Sequence, residues 1–479
     1  MKKKFLVFIL LCFNQIIAQA GDLIEVFQQA LISDPTYQQA IAQRLADQEG
    51  VPINVSALLP NLSITANPNL TRSAYAGNNY DTNVAGVPLT PRNNTNLGYT
   101  LALTATQTVF DFAKFANVAG AVATSKEADA TLNAALQNLI VRVATAYFAI
   151  LKDEENLNYS EASKLAYAKQ LDQIKQQYEV GLKTVTDVYT AQASYDSAIA
   201  TYITAENTVD NDRENLRAMT GKYYPKLSAL GDNFPLITPE PANIDQWTNI
   251  AQQQNWPIKA SQYNVDATRQ VIKQQVAGHL PTVDVEGTLN KVYSKDINGY
   301  RSINAPSGTG TITNRIITVN LNVPIFSGGG VVAKINQAQY NYQVAQQQLE
   351  QTIRSTINTT RQSYLGILSG ISQIKADQQT IKSTISSLQG LEASYQVGTE
   401  TLVNVLGQQQ KVFQAQTEYA ADRYNYIINV FTLKQAAGTL SFDDVRAINA
   451  WLVETKRPRP NSSYPSLLRA GQGVKRAQK

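Results

Sequence analysis

Two segments of the chain alternate apolar and polar residues with a period of two, the pattern of a β-strand whose two faces meet different surroundings. The clearer segment is apolar at Ile317, Val319, Leu321, Val323 and Ile325. Residues 97–103 alternate in the same way. A partner strand precedes each, so we predict β-hairpins over 61–110 and 281–326. Their connections, 77–96 and 298–314, are rich in Asn, Gly and Pro, as exposed loops are.

A long tract without proline follows each predicted hairpin, from 92 to 224 and from 325 to 457. Apolar residues recur there every three or four positions, which places them on one face of an α-helix. The predicted stripes are Val185, Val188, Tyr189, Tyr195, Ile199, Tyr202 and Ile203 in the first tract and Leu402, Val405, Leu406 and Phe413 in the second.

A Val-Gly pair interrupts each tract, at 180–181 and at 397–398. We therefore expect two helical hairpins, over 112–220 and 328–438. At 1.5 Å per residue, the first arm would be on the order of 100 Å long.

The chain repeats itself with an offset close to 220 residues, and four landmarks recur in the same order. They are Asp34-Pro35 and Trp256-Pro257, Leu59-Pro60 and Leu280-Pro281, Val109-Phe110 and Ile325-Phe326, and Tyr178 to Val188 and Tyr395 to Val405. Two tandem copies, 21–220 and 243–440, are therefore predicted, each opening with a helix (22–57 or 244–278). A linker, 221–242, joins them; a helical segment, 441–455, and a basic tail, 456–479, follow.

The long helices are rich in small and polar residues and poor in leucine. An ordinary antiparallel coiled coil has one such narrow apolar seam. A hollow cylinder is the other interpretation, because a polar face can line water. The hairpins favour the hollow form. Four strands cannot close a membrane barrel alone, so closure requires several chains.

The N-terminus predicts export. Lys2, Lys3 and Lys4 precede a short apolar run, and Ala18-Gln-Ala20 suits signal cleavage, so 1–20 is interpreted as a signal peptide. Cys12 would leave with it, and the mature chain would hold no disulfide or thiolate metal site. No later stretch approaches 18 uninterrupted apolar residues, so a transmembrane helix is not predicted.

Charge and chemistry narrow the function further. Residues 21–455 hold 31 basic and 37 acidic residues, a balance that disfavours nucleic-acid binding. The single histidine, His279, has no evident catalytic or metal partners and is interpreted as a helix-end residue. No phosphate-binding GxxxxGK[ST] loop is present, so any energy source must belong to a partner. With no catalytic constellation evident in the residues, we predict no enzyme activity, cofactor or metal.

Several motifs together resemble the TolC family of outer-membrane efflux proteins over the mature chain to about residue 453. They are Gln177-Tyr-Glu-Val-Gly-Leu182 with Thr186-Asp-Val188, Pro324-Ile-Phe-Ser-Gly-Gly329, Ser394-Tyr-Gln-Val-Gly-Thr399, Arg423-Tyr-Asn-Tyr-Ile-Ile-Asn429 and Gly438-Thr-Leu440.

The resemblance implies a mixed α and β fold in a homotrimer. Each protomer would give four strands to a twelve-stranded barrel in the outer membrane of a Gram-negative bacterium, and an α-helical barrel would cross the periplasm. It also implies a periplasmic adaptor and an inner-membrane transporter of the RND, ABC or MFS type as partners, in drug efflux or type I secretion. The alternative from another class is an exported coiled-coil structural or adhesive protein without a pore.

The resemblance also assigns candidate sites. The adaptor-docking tips would be Val180, Gly181, Leu182, Val397, Gly398 and Thr399. The pore constriction would involve Lys183, Thr186, Asp187, Tyr395, Glu400, Asn404 and Gly407. The strand-to-helix transitions would be Phe110, Pro324, Phe326, Gly328 and Gly329. Independently of the resemblance, the expected girdles of a barrel at the membrane interfaces are Tyr75, Tyr80, Tyr99, Tyr293 and Tyr300, and the alternative is that some of them pack in loops.

At the constriction this chain departs from the family pattern. The family carries two acids after its second turn, where this chain has Asn404 and Gly407, and an arginine where this chain has Glu400. The usual latch from that arginine to an aspartate, here Asp187, therefore cannot form. We expect a contact between Lys183 and Glu400 in its place, and a less cation-selective pore.

Overall fold

The computed structural model describes residues 21–74, 93–231, 234–297 and 310–453. The predicted signal peptide with Cys12, the tyrosines Tyr75, Tyr80 and Tyr300, and the basic tail lie outside these residues. The chain divides into two compact units. The strand unit comprises Gln43–Ala130 and Lys259–Gln351, and the helical unit comprises Met1–Ala42, Thr131–Ile258 and Thr352–Lys479.

The helices and strands of the described chain contain one series twice, two helices, two strands and two further helices, with a few short elements outside it. They are α1 (Leu23–Ser33), α2 (Pro35–Ser56), β1 (Asn61–Ala74), β2 (Asn93–Phe110), α3 (Phe112–Glu179), α4 (Val185–Thr220), β3 (Ala229–Leu230), α5 (Ile244–Gln254), α6 (Trp256–Val276), a 3-10 turn (Ala277–His279), β4 (Thr282–Asp296), β5 (Gly310–Asn322), α7 (Gly330–Gln396), α8 (Leu402–Ala436), α9 (Phe442–Asn449) and β6 (Leu452–Val453).

The strand unit contains one antiparallel sheet with the order β1-β2-β4-β5. The two hairpins meet between β2 and β4, where Tyr99 pairs with Tyr293 and the ring centroids lie 5.1 Å apart. Gly98 allows this approach, because a Cβ there would lie 2.7 Å from the Tyr293 carbonyl oxygen. Strands β1 and β5 are the two edges of the sheet, and every residue of β5 is exposed in the single chain.

The predicted strand boundaries need two corrections. Strand β5 ends at Asn322, so Val323 and Ile325 are not part of it. Pro324 lacks the N–H that would continue the ladder. The predicted loops are also too long, because pairing of Ser294 with Gly310 begins β5 within 298–314 and β2 likewise begins within 77–96. Backbone pairing extends β2 into the polar residues 93–96 and β5 into residues 310–314, where Ile312 is the one apolar residue.

The predicted opening helices are each two helices rather than one. Asp34 and Asn255 have extended backbones between α1 and α2 and between α5 and α6. Each ends one helix and caps the next: Asp34 Oδ1 accepts from the Tyr37 N–H at 2.7 Å, and Asn255 Oδ1 from the Ile258 N–H at 3.0 Å. Proline within the next two residues favours this break, because its ring restricts the residue before it and fits a first helical turn.

The long helices end in turns of one type. Helix α3 has 68 residues, on the order of 100 Å at 1.5 Å per residue, and α7 has 67. After α3, the Leu182 N–H donates to Gln177 O at 2.8 Å and the Gly181 N–H to Tyr178 O at 2.9 Å. These two bonds form a Schellman motif, which requires a left-handed residue, and φ of Gly181 is 77°. The turn after α7 repeats the motif, with φ of 82° at Gly398.

The stripe predicted on α4 is only partly correct, because Val188 and Tyr195 pack against a buried cluster but other members are exposed. Tyr189 is 70% exposed and Ile203 56% exposed, whereas the buried residues of this helix are mostly small. They are Ala191, Ala198, Ala205, Val209, Leu216 and Thr220. Alanine every seven residues lets a neighbouring helix approach closely and leaves the large side chains outside the seam. On α8 the expected Leu402, Val405 and Leu406 are buried, and Phe413 is half-buried.

In the main core of the helical unit, α1 and α9 pack against the middle of α3, α7 and α8. Its largest fully buried side chains are those of Tyr147, Phe148, Tyr424, Tyr426 and Phe431. Helix α3 also contains an 18-residue window with a mean hydropathy of 1.5, long and apolar enough to cross a membrane. Half of that window is buried in the described structure, as in the core helix of a folded domain.

The prediction of a helical segment over 441–455 is also wrong in its second part. Helix α9 ends at Asn449, and β6 then pairs with β3, which lies within the predicted linker. The linker is also fixed further along: the Tyr426 hydroxyl donates to Ile237 O at 2.9 Å and accepts from the Ile237 N–H at 2.7 Å. Two-residue strands paired across more than 200 positions leave no local periodicity from which to predict them.

Candidate functional site: the two hairpin tips

The two turns present apolar side chains to solvent. Val180 is 70% exposed, Leu182 73% and Val397 76%. A Cβ at Gly181 or Gly398 would meet nothing within 4 Å. The turns therefore form small apolar surfaces with free space around them.

The first turn is fixed by a capping box at the start of α4. Asp187 Oδ2 accepts from the Thr184 N–H at 3.0 Å and from Thr184 Oγ1 at 2.8 Å, and Thr184 Oγ1 accepts from the Asp187 N–H at 3.2 Å. The bond from the Thr184 backbone is the main cause that lowers the pKa of Asp187, and the Lys183 charge assists. Asp187 is therefore an ionised cap of its own helix.

In the second turn the acid, Glu400, does not cap the following helix. Thr401 caps α8 by accepting from the Asn404 N–H, and Glu400 Oε2 accepts from Asn404 Nδ2 at 2.8 Å. Glu400 and Asn404, two predicted constriction residues, are thus bonded to each other within one turn.

The two turns of one protomer meet at Lys183 and Tyr395. The Lys183 ammonium lies 4.1 Å from the centroid of the Tyr395 ring, a cation–π contact. The expected contact between Lys183 and Glu400 is therefore corrected, because Glu400 bonds to Asn404 and Lys183 lies on the ring. Tyr395 in turn packs against apolar clusters that include Ile174, Leu402 and Leu406.

The remaining predicted constriction residues take no part in this contact. Thr186 is exposed, and its carbonyl accepts from the Thr190 hydroxyl at 2.9 Å. Gly407 lies on α8, where a Cβ would have open space. Sequence analysis missed the caps Thr184 and Thr401, although Thr-x-x-Asp at 184–187 is a known capping pattern.

The predicted transition residues lie between strands and helices as their positions imply. Phe110 is the last residue of β2, and Asp111 then accepts from the Ala113 N–H at 2.9 Å to begin α3. Phe326 is 87% exposed after β5. Gly328 and Gly329 have φ of 61° and 78°, so the helical hairpin predicted from 328 begins at Gly330 instead.

Arg423, the first residue of one of the motifs quoted above, is a buried charged residue away from the hairpin tips. Arg423 is 5% exposed, and its guanidinium lies 3.6 Å from Glu155 and between 5.4 and 5.9 Å from the rings of Phe234, Tyr419 and Tyr424. The Tyr424 hydroxyl donates to Glu155 at 2.6 Å. These contacts join α3, α8 and the linker, so we interpret Arg423 as a structural residue.

Duplicated strand pairs and helices on the order of 100 Å long also make up solved structures of this fold. A Campylobacter jejuni outer membrane channel, CmeC, matches with a TM-score of 0.72 and 16% identity, covering 91% of this chain and 90% of that one.

The sequence is 34% identical to the Escherichia coli outer membrane protein TolC, covering 94% of this chain and 88% of the relative. It is 28% identical to the Dickeya chrysanthemi proteases secretion protein PrtF, covering 91% and 92%. Residues 26–222 and 247–439 both match the family described as outer membrane efflux protein, so the chain belongs to that family, located in the outer membrane. The two matched segments correspond to the two predicted copies.

Proposed function

We propose that three copies of this chain form one exit duct, which receives substrates from an inner-membrane transporter of the RND, ABC or MFS type through a periplasmic adaptor. The duct conducts passively and catalyses no reaction. The single observation that carries this proposal is the sheet with two free edges.

The edges of the sheet require a partner in lipid. Within the described part of the chain, no strand pairs with the outer side of β1 or β5, and the bilayer core offers no water to satisfy their N–H and C=O groups. The strands alternate in direction, so β5 of one copy can pair antiparallel with β1 of the next. Head-to-tail pairing therefore continues the antiparallel pattern around a closed ring.

Strand length and number fit a membrane barrel with a lumen. The 13 residues of β5 extend about 43 Å at about 3.3 Å per residue, or roughly 30 Å across the bilayer at a tilt near 45°. Two copies would give about eight strands, a barrel whose interior is filled by side chains. Three copies give twelve, which leaves room for a channel.

The exposed tips suit the adaptor. Val180, Leu182 and Val397 offer apolar contact area on well-defined Schellman turns, with glycines that leave space for a partner. We assign adaptor docking to these residues together with Gly181, Gly398 and Thr399. Lys183 on Tyr395, with the capped Asp187 and the Glu400–Asn404 pair beside it, would hold the constriction closed.

Both efflux and secretion fit this duct. One relative bears the name of a protease secretion protein, and the family is described by efflux. A passive conduit takes its substrate from the transporter that it meets, so one duct can serve both pathways.

Planar-bilayer recording tests the proposal. Purified protein should insert as a heat-modifiable trimer and give small, discrete conductance steps in the closed state. A protein that migrates as a monomer without heating and never conducts would contradict the proposal.

A further inference from the structure

Each helical hairpin contains one pair of aspartates that faces across its two arms. In the first hairpin, Asp153 on α3 lies within hydrogen-bonding reach of Asp212 on α4. In the second, Asp377 on α7 lies within reach of Asp422 on α8. Two like-charged carboxylates at such a distance repel, so both cannot remain ionised without cost.

Burial makes this cost larger. Asp153 is 8% exposed and Asp377 6% exposed, while Asp212 and Asp422 are half-buried. Gln373 donates to Asp377 Oδ1 at 3.0 Å, but Asp377 Oδ2 is buried and has no hydrogen-bond partner among the residues described. A buried acceptor without a donor is rare in folded proteins. A proton between Asp377 and Asp422 would supply the missing donor.

One lysine offsets part of the negative charge of the first pair, and the charged group that acts on the second pair is another acid. At the first pair, Lys152 lies 3.4 Å from Asp153, and the neighbouring Glu154 and Arg213 bond to each other at 2.8 Å. At the second pair, Glu418 on α8 adds a further negative charge, and Asn425 donates to Asp422. One half-exposed lysine therefore faces the first pair, whereas the second pair has the acid Glu418 and the amides of Gln373 and Asn425 beside it.

We propose that Asp153 with Asp212, and Asp377 with Asp422, each share one proton, so that an acid–carboxylate hydrogen bond joins the two arms of each hairpin on acidification and is lost as the pH rises. The proposal concerns the hairpins themselves and does not depend on the substrate of the duct.

The direction of the pH effect follows from the folded state. Burial and the bond to Asp212 raise the pKa of Asp153 to about 6, and burial with the bond to Asp377 raises the pKa of Asp422. The folded chain then binds more protons than the unfolded chain between an ordinary aspartate pKa and the raised one. Stability therefore increases as the pH falls through that window, and the contribution disappears above it.

Asparagine variants separate a shared proton from a purely structural role. In Asp153→Asn and Asp377→Asn the amide N–H can donate to the remaining carboxylate. The bond between the two arms then persists without uptake of a proton. Matched controls are Asp172→Asn on α3 and Asp196→Asn on α4, both exposed in the chain. Heat-modifiable trimer migration shows whether each variant is folded.

Proton uptake of the purified full-length mature protein is measured between about pH 7.5 and about pH 5, together with the infrared carbonyl band of protonated carboxyl groups. The wild type and both controls should take up more protons per chain than the Asp153→Asn/Asp377→Asn double variant, in which the band should be weaker. Equal uptake by wild type and double variant, or a band of equal intensity in both, would overturn the proposal.

Discussion

Charged residues at the two tip glycines should block adaptor docking without unfolding the protein. The perturbation is the double variant Gly181→Glu/Gly398→Glu. Both glycines have positive φ, where another L-residue costs about 1–2 kcal/mol, but neither Cβ would meet an atom within 4 Å. The strain is thus about 2–4 kcal/mol per chain, and it falls on an exposed turn rather than on the core.

The effect on docking should be much larger than the effect on folding. Burying an unpaired carboxylate in an apolar contact costs several kcal/mol. A penalty of about 3 kcal/mol lowers affinity by roughly 100-fold. Drug susceptibility in a strain without its own duct, and in vivo cross-linking to the adaptor, should both show loss of docking, while heat-modifiable trimers remain on gels.

Two matched controls make this test specific. Gly390→Glu adds the same charge on α7 at an exposed position with open space around its Cβ. Gly398→Asn introduces a residue that tolerates positive φ, and it adds no charge. Both should retain efflux. Normal resistance and cross-linking in the double glutamate variant would refute the assignment of the tips.

Two further predictions follow from single contacts. Burial alone would raise the pKa of Asp34, but bonds from Arg142 at 2.9 and 3.1 Å and from the Tyr37 N–H lower the pKa overall. Asp34→Ala should therefore cost about 3 kcal/mol in the free energy of unfolding, more than Asp34→Asn, which keeps the cap. The wild-type advantage should be present above the ordinary aspartate pKa and lost as the pH falls through the lowered one; equal thermal midpoints for both variants would contradict this. At the tips, Lys183→Met removes a cation–π contact of about 0.5–1 kcal/mol and should raise channel opening in bilayers roughly 2- to 5-fold, whereas Lys183→Arg should not. Unchanged opening in Lys183→Met would exclude the contact as a latch.

The sequence contains enough to predict the fold class because its elements are long and periodic. Proline-free tracts indicate the helices of α3 and α7, and the duplicated landmarks indicate two copies. The breaks at Asp34 and Asn255 could have been inferred from the nearby prolines. The pairing of β3 with β6 could not, because two residues carry no period.

The candidate site was harder to predict than the fold. Turn glycines at 181 and 398 are visible in the sequence because a Schellman turn needs them. Lys183, however, has several acids and aromatic rings as potential partners, and only the three-dimensional arrangement brings it to Tyr395. The seam of small residues on α4 was also missed, because alanine is weakly apolar and the larger Tyr189 and Ile203 dominate the pattern.

Disulfide cross-linking between sheet edges tests the central claim, that copies close one ring through β1 and β5. Cysteines placed in turn along β1 from Leu62 to Asn67 are combined with Val319→Cys on β5; the predicted mature chain has no other cysteine. Within one chain these edges are three strand spacings apart, roughly 14 Å, too far for a disulfide. At least one combination should give covalent trimers in intact cells, whereas Leu101→Cys on the inner strand β2 with Val319→Cys should give none. Absence of cross-linking for every β1 position, or a ladder of products beyond the trimer, would contradict the closed ring.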